Sequence, residues 1–156
     1  MIMAKIGIIG RLKHFFGFFN TTEFEQTLIL KLRESVDTKT LNTLDDQLAR
    51  FNRVQRVLVD DSRLKCGSTM FYWVKSGKSL IDKFPKRIDE LENMLDANTF
   101  FQCVIEDSTG NQIRVEFKAV RGVFVLLNFY SSKRIWYPIG SYKFLKVENL
   151  LPQLKQ

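Results

Sequence analysis

The chain has 156 residues, enough for one domain with a single core and too few for two of ordinary size. Its hydrophobic fraction of 45% is that of a globular protein rather than a disordered one, and two cysteines are too few for a secreted disulfide scaffold. A net charge of +7 favours anionic partners, although the cations are scattered along the chain rather than gathered into one run.

Residues 1–20 carry no carboxylate. Arg11, Lys13 and His14 interrupt the apolar run, and Phe15, Phe16, Phe18 and Phe19 follow where a signal peptide would place small residues. The same interruptions deny the succession of about 18 apolar residues that a spanning helix needs. As a membrane-surface helix the segment fails too. Lys5 and Lys13 point away from Arg11 and His14, and Gly7, Gly10 and Gly17 weaken helix formation. As a strand, Lys5, Arg11 and Lys13 share one face while Ile6, Ile8 and Leu12 share the other. The expectation is an N-terminal arm or extra strand on a cytoplasmic protein with free thiols, and a membrane surface is disfavoured as a partner.

Residues 21–95 read as mainly helical, with a strand near 70–75. Thr21 or Thr22 can cap a helix whose first turn holds Glu23 and Glu25, and Phe24, Leu28 and Leu32 make its apolar stripe. A second helix starts around Thr40, with Leu41, Leu44, Leu48 and Phe51 at helical spacing, so the two form a hairpin. Residues 53–60 fit helix or strand. Met70 to Val74 is strand-like in its aromatic and β-branched content. Leu80, Ile81, Phe84, Ile88, Leu91 and Leu95 then suggest a helix over 79–95 that starts properly near Pro85.

Residues 100–137 read as a β-meander. A glycine-bearing loop at 107–111 closes the first hairpin, and Ile113, Val115 and Phe117 alternate with Arg114, Glu116 and Lys118 in the second strand. Arg121-Gly122 turns the chain into an almost wholly apolar strand at 123–130, and a fourth strand is expected at 134–137. Residues 141–156 form a C-terminal helix or strand. The fold expected is α+β: a single domain over residues 1–156 with an N-terminal helical hairpin and a further helix packed on a mainly antiparallel meander of four or more strands.

Reactive chemistry is sparse. Gly77-Lys78-Ser79 has part of a phosphate-binding loop, but the glycine required five residues before Gly77 is Tyr72, which favours an ordinary turn with a capped helix after it. The carboxylate pairs Asp45-Asp46, Asp60-Asp61 and Glu106-Asp107 are candidate material for a metal-dependent enzyme, but neighbours in sequence diverge in direction, so a pair alone is not a site. His14 is the only imidazole, and Cys103, between Phe101 and Ile105 in a strand pattern, reads as a small buried hydrophobe. No cofactor is called for.

Two kinds of binding remain. The favoured reading is a non-catalytic module that docks on another protein with an acidic face, in the manner of small inhibitor or immunity-type proteins. Tyr72, Trp73, Arg134, Trp136 and Tyr137 would be its anchors, with Arg121 and Lys133 as steering charges. The alternative is a nucleic-acid-binding module using the basic aromatic sheet face around Arg114, Lys118, Arg121, Lys133 and Arg134. A carboxylate-based metal enzyme is the second alternative.

Overall fold

In the computed structural model, which describes residues 21–60, 65–133 and 141–153, the described residues begin with two helices and then turn to strands. Helix α1 (Glu23–Ser35) starts from Thr22, whose hydroxyl accepts from the Glu25 N–H at 3.2 Å while Glu25 Oε2 accepts from the Thr22 N–H at 2.9 Å. That reciprocal cap satisfies two amide donors the helix ladder leaves over. The stripe of Phe24, Leu28 and Leu32 is fully buried, as its spacing predicts. Helix α2 (Thr38–Arg50) begins two residues earlier than expected because Asp37 caps it, accepting from the Thr40 N–H at 2.8 Å. Val36 and Asp37 alone separate the helices, so they fold back as a hairpin, and Arg33 meets Asp45 across it at 3.0 Å.

Six strands form one antiparallel sheet: β1 (Arg53–Asp60), β2 (Lys65–Tyr72), β5 (Asn98–Asp107), β6 (Gln112–Val120), β7 (Val123–Ser131) and β8 (Tyr142–Asn149). Their order is β1-β2-β7-β6-β5-β8, while β3 (Val74–Lys75) and β4 (Lys78–Ser79) make a separate small hairpin. The ambiguous 53–60 stretch is therefore a strand, which places buried Val54 opposite buried Phe71. The strand expected at 70–75 begins at Lys65 and ends at Tyr72. Strands β5, β6 and β7 are the first three strands of the expected meander. Because β2 occupies the far side of β7, the C-terminal strand β8 returns to pair with β5 instead. The strand expected at 134–137 and the arm at 1–20 lie outside the described residues.

One face of the sheet is apolar. Leu127, Phe117 and Phe101 lie in one row across β7, β6 and β5, and Phe129, Val115 and Cys103 in the next, all buried. Each large side chain buried in this way stabilises the fold by roughly 1.5–3 kcal/mol. The helical hairpin covers this face. The sheet also curls around it: Phe24 meets Tyr142 of β8 edge-on at 5.0 Å, while the next residue, Glu25, is gripped by Arg56 of β1 at 2.8 and 2.5 Å. Strands at opposite ends of a flat six-stranded sheet would stand roughly 24 Å apart, five strand spacings. Adjacent residues reach both ends because the sheet bends, and register shifts at 99/101, 104/105 and 118/119 supply the local kinks.

The helix expected over 79–95 does not form. Two short 3₁₀ turns, Ile81–Lys83 and Asp89–Leu91, stand in its place. Pro85 removes one helical donor and holds Phe84 extended at φ −63°, ψ 123°. Tertiary bonds then take over the backbone. The Leu80 N–H donates to the Trp73 carbonyl at 2.8 Å, the Ile88 N–H to the Gly122 carbonyl at 2.8 Å, and the Arg121 N–H to the Met94 carbonyl at 3.0 Å. The apolar spacing was a true core signal, since Phe84, Ile88 and Leu91 are buried, but the backbone that presents them is irregular.

Candidate functional site

Two tight turns frame the most suggestive surface. Arg121-Gly122 and Ser76-Gly77 each place two successive residues at positive φ (49° and 74°, 50° and 75°), the two-residue hairpin geometry that matches strand twist. At Gly122 the close approach is severe: a Cβ there would lie 2.7 Å from the Ile88 carbonyl oxygen. Buried Gln47 of α2 completes this junction. Its Nε2 donates to the carbonyls of Lys86 (3.0 Å) and Gly122 (2.9 Å), and its Oε1 accepts from the Phe124 N–H at 2.9 Å. Sequence reading passed over Gln47, although a glutamine among the apolar positions of a helix was its signal.

Between β2, β7 and the 79–97 segment lies an apolar groove of about 190 Å³. Met70, Tyr72, Trp73, Ile81 and Leu126 line it over a floor that includes Phe51, Phe71 and Phe84. Its volume falls short of the roughly 300–1,000 Å³ usual for small-molecule sites and suits an inserted side chain or two. Trp73 is held rather than loose: its ring meets Phe84 edge-on at 5.1 Å, and the Arg50 guanidinium lies 5.3 Å from its centroid. Asp46 fixes that guanidinium at 2.9 and 3.1 Å, and the bond from Arg50 holds the Asp46 carboxyl below the usual carboxylate range. Tyr72 and Trp73, expected as anchors, are thus brought together at one half-buried surface.

The expected cations fare differently. Arg114 and Lys118 share the outer face of β6 with Glu116, which takes them at 3.2 and 3.3 Å, and Arg114 also lies 4.7 Å over the Tyr130 ring. Neighbouring strands repeat the pairing, with Lys143 on Glu106 at 2.8 Å and Lys146 on Glu148 at 2.7 Å. Bonds from Lys146 and then Gln102 hold Glu148 below its ordinary range. Arg121 turns to Asp82 at 2.9 Å. Lys133 is exposed just beyond β7, remote in strand position from the groove. Arg134, Trp136 and Tyr137 lie outside the described residues. Lys118 does border the groove, because its ladder partner Leu126 lines it.

Sequence reading missed three cations that neighbour residues of the groove lining in ladder or sequence. Arg53 is the ladder partner of Tyr72, Lys78 directly precedes Ser79, and Lys75 faces Lys78 across the Ser76-Gly77 turn. All three are exposed, and among the described residues none has an ion-pair partner. Like charges directly opposite in a ladder are unfavourable, so this hairpin carries a local cost. For Lys75 and Lys78 the signal was present: residues 62–81 contain no Asp or Glu.

The other chemistry finds structural uses. The Ser76-Gly77 loop is an ordinary turn, but a strand and a 3₁₀ turn follow it in place of the capped helix expected. Asp45 and Asp46 hold Arg33 and Arg50. Asp107 accepts from the Thr109 N–H at 2.8 Å, its hydroxyl at 2.6 Å and the Asn111 N–H at 3.0 Å. Burial opposes ionisation there, yet these donors keep the Asp107 carboxyl below its ordinary range. Burial pushes the Cys103 thiol up to about 12. Asp61 lies outside the described residues, and among those described no three His, Cys, Asp or Glu side chains gather as metal ligands. Nor is any described helix long and apolar enough to cross a membrane. Compared with known protein families, with curated proteins and with solved structures, the chain matches none.

Proposed function

We propose that this chain is a non-catalytic protein-binding module that docks a partner protein at the Tyr72–Trp73 groove, as a cytoplasmic inhibitor or immunity-type protein does. One observation carries the reading: a small apolar groove built on two half-buried aromatics, with unpaired cations beside it. Aromatic anchors in a desolvated pocket are what protein interfaces use for most of their binding energy. Cations at the rim steer an acidic face toward it. The basic sheet face supports nucleic-acid binding less well, because its Arg114 and Lys118 are already paired with Glu116.

Affinity purification from native lysate tests the reading. The wild-type chain should retain one stoichiometric protein, and Ser79→Glu, which sets a charge at the groove mouth on an exposed residue, should release it. Recovery of nucleic acid alone, or retention of the protein by Ser79→Glu, would sink the proposal.

A further inference from the structure

Resting on that reading, we infer that the groove takes a short acidic amphipathic segment of a partner protein, with apolar side chains in the groove and carboxylates over Arg53, Lys75 and Lys78. Charge complementarity is the argument. Lys75 and Lys78 face each other at the tip of the small hairpin, so an anion laid between them relieves a repulsion present in the free protein. Arg53 extends the same positive rim along β1 beside Tyr72. Asp96 adjoins Ala97 of the lining and repels an anion there, which favours placing the carboxylates over the hairpin.

The lining decides between classes of anion. Apart from the Tyr72 and Ser79 hydroxyls and the Trp73 indole N–H, the lining, with Met70, Ile81, Ala97, Val120 and Leu126, offers no side-chain donor or acceptor to read a base edge. The Trp73 ring is already met by Arg50 and Phe84, which leaves it a poor stacking platform for nucleotides. An aliphatic side chain meets neither objection. A second copy of this chain would bring another net +7 to the same cationic rim, so like charge opposes self-association here. The small volume limits the occupant to a protruding segment with a few anchors.

A displayed library of random short peptides, selected on the 156-residue chain, supplies the probe. Enriched sequences should combine two or more large apolar residues with several Asp or Glu. The best of them, synthesised and labelled, should bind with micromolar affinity that falls about tenfold in the Lys75→Glu, Lys78→Glu double variant and with rising salt. Its carboxylate-to-amide version should weaken likewise, while the double variant keeps the wild-type melting temperature. Enrichment of neutral or basic apolar peptides that Ser79→Glu rejects and the double variant binds equally well would overturn the acidic assignment and leave the docking groove standing. Selection of no peptide sensitive to Ser79→Glu would overturn both. Tighter binding of a single-stranded oligonucleotide than of any selected peptide, lost in the double variant, would reassign the rim to nucleic acid.

Discussion

On β6, Arg114 and Lys118 stand 3.2 and 3.3 Å from the carboxylate of Glu116. At the groove, Arg53, Lys75 and Lys78 meet no carboxylate among the described residues. Both regions are basic on paper, yet only one has charge to offer a partner. An excess of +7 therefore says little until it is known which cations are already committed. A third case sits inside the protein, where Glu25 is fully buried and Arg56 nearly so. Committed charge ranges from structural necessity, through local neutralisation on a wet face, to none at the rim.

That gradient can be broken at each step. Arg56→Ala should have the largest effect, because it strands a buried carboxylate; a loss of roughly 3–5 kcal/mol is expected in denaturant unfolding. Glu116→Gln should cost about 1 kcal/mol or less, as for other partly exposed pairs, while releasing two cations. Retention on a heparin column should then rise, and an unchanged elution would mean that the β6 face is not masked by Glu116. The smallest change in stability belongs to Lys75→Glu with Lys78→Glu. It should stay within about 0.5 kcal/mol by thermal unfolding, since these exposed residues hold nothing in place.

Local signals proved legible where they act locally. Alternation at Ile113, Val115 and Phe117 named the buried face of β6, and Thr21 or Thr22 before Glu23 and Glu25 placed the start of α1 to within a residue. The sequence reading put Arg114, Glu116 and Lys118 on one wet face, since residues two apart in a strand share a face, but took the two cations as open to a partner rather than paired with Glu116. Non-local choices were not. Nothing in residues 142–149 says that they return to β5 rather than extend the meander. The 79–95 segment has helical spacing, yet its backbone bonds run to Trp73, Gly122 and Arg121. The groove exists only where β2, β7 and that segment meet, so Tyr72 and Trp73 could be nominated singly but their pocket could not.

Gln47 lies on a helix away from the groove mouth, yet its bonds to the carbonyls of Lys86 and Gly122 help hold the segment that forms one lip. A loop left to itself would have to be ordered by its ligand, and the lost conformational freedom would weaken binding. Here the lip is ordered in advance by the fold, through a side chain no ligand touches. The consequence is entropic: a small contact area can yield useful affinity, because little of the receptor remains to be frozen when the partner arrives.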